Sequence, residues 1–282
     1  MNEIKKIYVK IKGGFGNQLF QFAKALEIQD EYGGSIHSLI ELNNPLNTKR
    51  PYLLNFDNDK IKKSNSEFFK YYIFLKTFNK IQIFKEKEIY KYEKVIPSNE
   101  FILLDGYWQT FKSVESIKNK LHHIIFDQLD LNKNMQFYLS SINKNNSVSI
   151  HIRRGDYVTN KFANRFHGVL SMDYYQNAID LLKSKFSDLK FIFFSDDIPW
   201  AKKYFSNLNS IFIENNNMQQ KELSEIYLMM NCKHFIIANS SFSWWGAFMS
   251  KNEKNNIIIA PKKWLNQNIS TIDLIPKHWI KI

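Results

Sequence analysis

The sequence predicts an α/β protein of two domains, and three observations carry that expectation. At 282 residues and 44% hydrophobic composition it is about twice the usual domain size, with ample material for a packed core. Its start reads as strand, glycine turn, helix. Its second half alternates short apolar runs with helical stretches, the pattern of a parallel sheet flanked by helices.

Taken in order, Ile4–Lys12 alternates Ile7, Val9 and Ile11 with lysines and Tyr8, a strand pattern. Gly13, Gly14 and Gly16 break it before a helical run over Gln18–Tyr32. From Asn43 to about Phe101 the chain is rich in Asn, Lys and aromatics and reads as helices joined by polar loops. Phe101–Asp105 is a strand, Val114–Ile125 a helix, and the polar Asn143-Lys144-Asn145-Asn146 reads as a linker. Beyond it, strands are expected at Ser147–Ile152, Lys190–Phe194, Ser210–Ile213, His234–Ala238 and Ile257–Ala260, spaced by helices such as Tyr174–Phe186. The expected domains are 1–145 and 146–265, with 266–282 a tail that packs back on the first domain.

Thirty-nine basic against 27 acidic residues give +12, which points to an anionic partner: nucleic acid, membrane surface or phosphorylated small molecule. Residues 60–94 hold ten lysines and four glutamates, half of the whole excess, interleaved with Phe68, Phe69, Tyr71, Tyr72, Phe74 and Phe78. The plain reading is a solvated helical face over an aromatic core. The sharper one is a surface for anionic lipid or a phospholipid-linked acceptor, each lysine adding about 1 kcal/mol near such a membrane. The lone Cys232 excludes an intrachain disulfide framework, no signal region follows Met1, and no run nears the ~18 apolar residues of a membrane span. A cytoplasmic protein is expected.

Ligands of an open parallel sheet bind outside the carboxyl ends of its strands, and three unusual segments fall there. The first is His151-Ile152-Arg153-Arg154-Gly155-Asp156-Tyr157. Paired arginines leaving a buried strand suit a diphosphate, because guanidinium forks bind phosphate oxygens bidentately and stay charged; the competing reading is ion pairing to structural carboxylates. The second is Phe194-Ser195-Asp196-Asp197. Its carboxylates admit a metal, the edge of a base or a ribose, or a helix cap, and with two arginines available to neutralise a leaving group, base or ribose contact is favoured. The third, Asn239-Ser240-Ser241-Phe242-Ser243, opens a helix through Trp244 and Phe248, a natural anion site that is equally consistent with simple N-capping. Gly13-Gly14-Phe15-Gly16-Asn17 lacks the third glycine of a dinucleotide loop, so Gly14, Phe15 and Gly16 read as a turn that brings backbone and the Asn17 amide close to a substrate.

Together with Ala260-Pro261-Lys262-Lys263-Trp264, these segments resemble the bacterial α-1,2-fucosyltransferases of glycosyltransferase family 11. The resemblance spans both ends of the chain in order; Phe15 and Leu19 stand where relatives often carry Leu and Met. It implies a GT-B-like fold, two Rossmann-like domains facing across a cleft, with the first on the acceptor side. The implied reaction moves L-fucose from GDP-β-L-fucose, with inversion, to the 2-hydroxyl of a terminal galactose, without a metal. Arg153 and Arg154 would hold the pyrophosphate; His151, Ser195, Asp196 and Asp197 would lie near guanine or ribose; Asn239 to Ser243 would contact phosphate, and Asn17 would face the reacting centre. Asp156 is the first candidate for general base and His167 the second, Asp156 having the alternative of orienting the arginines. The implied partners are GDP-fucose and a galactose-terminated glycan, at the inner face of a bacterial membrane. A nucleic-acid binder is disfavoured, because the lysines cluster away from the motifs. A binding module without catalysis gives no reason for the arginine pair.

Overall fold

The computed structural model describes residues 4–40, 61–63, 72–127, 129–214, 220–251 and 255–282. The chain forms two compact units, Met1–Ile125 with Ser270–Pro276, and Phe126–Ile269 with Lys277–Ile282.

In the first unit, β1 (Lys6–Ile11) leads through Gly13 and Gly14 into α1 (Phe15–Tyr32). There follow β2 (Ser35–Ile40), β3 (Ile61–Lys63), β4 (Ile81–Lys85), β5 (Phe101–Asp105) and the short α2 (Phe111–Glu115), and α3 (Lys118–Phe126) crosses the unit edge. The described strands form one parallel sheet in the order β3-β2-β1-β5-β4. Its middle strand is apolar on both faces, with Ile7, Tyr8, Val9 and Ile11 buried, as a covered parallel sheet requires.

Two expectations are corrected here. The stretch read as helices and loops before Phe101 contains β3 and β4; Lys and Gln on a half-exposed edge strand hide its period. Helix α1 begins at Phe15, not Gln18, because its N-cap is Gly14, which offers no side-chain signal.

The second unit opens with α4 (Lys133–Lys144) and β6 (Asn146–Ile152). The segment Asn143–Asn146 is therefore no linker: it is the last turn of a helix, its cap and the first residue of a strand. The unit edge falls at 125 rather than 145, since α4 buries Met135, Tyr138 and Ile142, and the Tyr138 hydroxyl accepts the Glu214 N–H at 3.4 Å.

Next come α5 (Gly155–Thr159), α6 (Lys161–His167), α7 (Met172–Lys183), β7 (Leu189–Ser195), α8 (Ile198–Phe205), β8 (Ser210–Phe212) and α9 (Lys221–Met230). The chain continues through β9 (His234–Ile236), α10 (Ser241–Phe248), β10 (Ile258–Ala260) and β11 (Ile280–Lys281). The parallel order is β11-β10-β9-β6-β7-β8. One face of β6, with Val148, Ile150 and Ile152, packs on α7 and α8 through Tyr175, Ile179, Ala201 and Phe205. The alternate residues Ser147, Ser149 and His151 point to the other face.

The tail divides, contrary to expectation. Residues 270–276 belong to the first unit, where Asp273 accepts the Tyr92 N–H at 2.9 Å and pairs with Lys112 at 2.7 Å. Residues 277–282 return to the second sheet, where β11 pairs with β10.

Candidate active site

The second sheet changes direction at β6: β7 and β8 follow on one side, β9, β10 and β11 on the other. Ligands of open α/β sheets bind in the crevice beyond the carboxyl ends at that point. Arg153 and Arg154 leave β6 there, and Asn239 to Ser243 follow β9 on the other side of the reversal.

Each arginine meets a carboxylate from the end of β7. Arg153 Nη1 lies 3.0 Å from Asp196 Oδ2, and Arg154 Nε lies 3.1 Å from Asp197 Oδ2. Asp196 also accepts the backbone N–H of Arg154 at 2.8 Å. Asp197 accepts the Trp200 N–H at 3.1 Å and so caps α8, while its own N–H donates to Ser195 Oγ at 2.9 Å. Asp197 takes the capping role that was one of the alternatives for this pair, and both carboxylates make the ion pairs that compete with a diphosphate for the arginines. Gly155 makes room for Asp196, since a Cβ there would stand 2.6 Å from its Oδ2.

The forks are held on their faces too. The Arg154 guanidinium lies 4.3 Å from the centroid of the Trp200 ring and that of Arg153 lies 5.5 Å from Tyr157. Because the ion pair takes Nε of Arg154, the terminal nitrogens of that fork keep their donor capacity for an anion. Trp200 carried no signal of its own in the sequence; only its distance from Asp197 along a short helix explains its place.

Asn239 is 2% exposed and its amide donates to the carbonyls of His167 at 2.9 Å, Gly168 at 3.3 Å and Trp264 at 3.2 Å. It ties its own loop to the segments at His167–Gly168 and Trp264. Ser240 caps α10 by accepting the Phe242 N–H at 3.3 Å, and Ser243 donates to the carbonyls of Ala238 and Ser240. Ser241 and Phe242 form the first turn of α10, where backbone N–H groups collect. The His167 ring stacks on Tyr157 at 4.7 Å and 6°, which brings it beside the arginine motif. Asp156 lies on α5, and its side chain is outside the described residues.

His151 is 5% exposed, its ring 5.6 Å from that of Phe242. Burial first, and the Arg153 charge second, push its pKa down to about 3, so the imidazole is neutral. Among the described residues its Nδ1 has no hydrogen-bond partner.

Sequence reasoning missed Glu225 on α9, where burial pushes the carboxyl up to about 8 despite Lys221, with Glu222 and Asp196 adding to the rise. Its neighbours Ser224 and Ile226 are buried, a pattern that marks a helix face without marking the glutamate.

In the first unit, Gly14, Phe15, Gly16 and Asn17 form the cap and first turn of α1. Gly13 holds φ 80°, the left-handed turn that glycine permits.

The model of glycosyl transferase family 11 matches residues 1–282. An α-1,2-colitosyltransferase of Escherichia coli is 35% identical over 300 residues, 98% of each chain. The O-antigen biosynthesis glycosyltransferase WbnK of Escherichia coli is 31% identical over 312 residues, covering 98% of this chain and 100% of its own. Among solved structures, Arabidopsis thaliana FUT1 mutant R284K in complex with GDP aligns with a TM-score of 0.52 at 9% identity, covering 98% of this chain and 75% of that one. This last is a likeness of fold.

Proposed function

The chain belongs to glycosyl transferase family 11, and from that membership we propose that it moves L-fucose from GDP-β-L-fucose to the 2-hydroxyl of a terminal galactose, in O-antigen or a related surface glycan. The observation that carries the donor class is the arginine pair, oriented by Asp196 and Asp197 at the reversal of the second sheet.

The acceptor hydroxyl attacks the anomeric carbon opposite GDP, the glycosidic bond forms as the bond to the β-phosphate oxygen breaks, and the hydroxyl proton passes to a base, for which Asp156 and His167 are the candidates. Charge grows on the β-phosphate as the sugar turns oxocarbenium-like. Arginines fixed in advance stabilise that charge without reorganisation, and on this reading no metal is needed. Replacing by alanine whichever of Arg153 and Arg154 faces the β-phosphate is expected to cost about 10²-fold in turnover. Steady-state kinetics of both variants check it; near-normal turnover in both removes the role.

A second donor reading is favoured by the 35%-identical relative, a colitosyltransferase. Colitose lacks the 3-hydroxyl of L-fucose, and a site built to bond a hydroxyl rejects the analogue without it. Mass spectrometry of reactions with GDP-fucose or GDP-colitose and a β-galactoside, with and without EDTA, separates the readings. A fucosylated product that survives EDTA is expected.

No helix among the described residues is long and apolar enough to cross a membrane. Of the 60–94 segment, Ile73, Phe74 and Phe78 are exposed beside Lys76 and Lys80, while Phe68, Phe69 and Tyr71 lie outside the described residues. We propose that this face rests on anionic lipid, which requires salt-sensitive sedimentation with anionic vesicles.

A further inference from the structure

Arg153 and Arg154 are two of four arginines among the 39 basic residues of the chain, which otherwise uses lysine. An ammonium carries the same charge without a plane, so what a guanidinium adds at the end of β6 is its shape. For Arg154 two contacts act on that plane, and both come from the start of α8. Asp197 Oδ2 takes Nε at 3.1 Å, and the Trp200 ring lies under the fork, 4.3 Å from Cζ to the ring centroid. One hydrogen bond leaves a planar group free to turn about the bond. A ring beneath the same group removes that freedom.

Trp200 is itself held in place. Its N–H donates to Asp197 Oδ1 at 3.1 Å, so the carboxylate that grips Arg154 also seats the backbone beneath the ring. Pro199, in the first turn of α8, stiffens the short path between the two residues. The indole packs against the core of the second sheet, with the Tyr204 ring at 4.7 Å and the Phe205 ring at 6.2 Å. The Arg154 side chain is 21% exposed, and a cation over a ring is held more strongly as water is withdrawn from it.

We infer that Trp200 is a positioning residue for the transfer: its ring fixes the plane of the Arg154 guanidinium, so that the fork meets the donor diphosphate already oriented. This rests on the transferase reading above. Charge growing on a departing phosphate is best stabilised by donors aimed at it beforehand, and a fork that must first turn into place gives up part of that stabilisation. Trp200 acts through Arg154, and the feature that counts is the negative face of its indole.

The test uses the full chain carrying isotope-labelled arginine. Four arginines give a simple side-chain Nε–H spectrum, and the signal missing from Arg154→Lys belongs to Arg154. A proton above an indole face is shielded, so that signal should stand upfield in the wild type and move downfield in Trp200→Leu. With GDP-fucose and a β-galactoside, Trp200→Leu should lose about tenfold or more in kcat, the scale of a misplaced group. Trp200→Phe keeps a ring face and should lose less than about threefold. In an Arg154→Lys background, Trp200→Leu should cost less than about twofold, because no plane remains to be set. Tryptophan analogues with increasing numbers of fluorines at position 200 keep the shape and weaken the ring face, so kcat should fall at each step. That series decides the matter if Trp200→Leu does not fold. An unmoved Arg154 signal in folded Trp200→Leu, an equal loss in the Arg154→Lys background or a flat fluorine series overturns the inference and leaves the donor reading standing. A wild-type protein that neither binds GDP-fucose nor transfers from it overturns both.

Discussion

The buried His151 and the half-buried Glu225 are ionisable groups that tilt stability with pH in opposite directions. The imidazole titrates near 6.5 when unfolded and near 3 in the fold, so the unfolded chain binds the extra proton between those values. Its contribution is complete above pH 6.5 and is lost as pH falls toward 3; thermal melts of His151→Gln should show a shallower acid decline than the wild type. Glu225 runs the other way, since its carboxyl holds a proton up to about 8 in the fold against 4.5 when unfolded. Its contribution is complete below 4.5 and is lost as pH rises through 8. Glu225→Gln should therefore gain on the wild type from pH 5 to pH 9, by about 2 °C or more at the alkaline end. No such gain would mean that the carboxyl is well solvated. The arginine motif stood out by residue type, and the structure adds what residue type could not give, the Asp196 and Asp197 carboxylates that pair with it. The titration of Glu225 gave no such sign, because burial belongs to the fold and not to the letter.

Helix α8 shows how one element couples a cap to a charge. Asp197 closes its first turn through the Trp200 N–H and holds Arg154 with the other oxygen. Asp197→Asn keeps a capping oxygen and removes the ion pair, whereas Asp197→Ala removes both. Both should lower turnover through a misdirected Arg154, while only the alanine should lose about 1 kcal/mol of stability to the missing cap. Equal melting temperatures in the two variants would show that the cap contributes nothing. Elements of this kind were legible where a polar side chain announces them and illegible where backbone alone does the capping. The buried strands β6 and β7 lie within a residue of their expected ends, since an unbroken apolar run admits little else at that length. At the start of α1 the glycine cap concealed three helical residues, and at the end of α4 exposed Asn and Lys imitated a linker.

At the scale of the whole molecule, each unit is finished by residues far away in sequence. Deleting 277–282 removes β11 and the Trp279 ring, which lies 6.0 Å from that of Trp244. Amide exchange is expected to quicken in β9 and β10 while β1 and β5 keep their protection. Asp273→Ala should do the reverse, loosening the backbone at Tyr92 and leaving the second sheet as it was. If either lesion melts both sheets together, the units unfold as one. The second parallel sheet was visible in the sequence because its short apolar runs reveal strands, whereas β3 and β4 of the first were not. The divided tail was not, because a two-residue strand and a single aspartate carry no period at all.

That division has a consequence for biosynthesis. A ribosome makes the first sheet early, yet Asp273, its partner for Tyr92 and Lys112, emerges only after β6 to β10 have been translated. The nascent polypeptide must hold an unfinished first unit through most of elongation, so chaperone occupancy on β1 and α1 should persist until the last segment clears the exit tunnel.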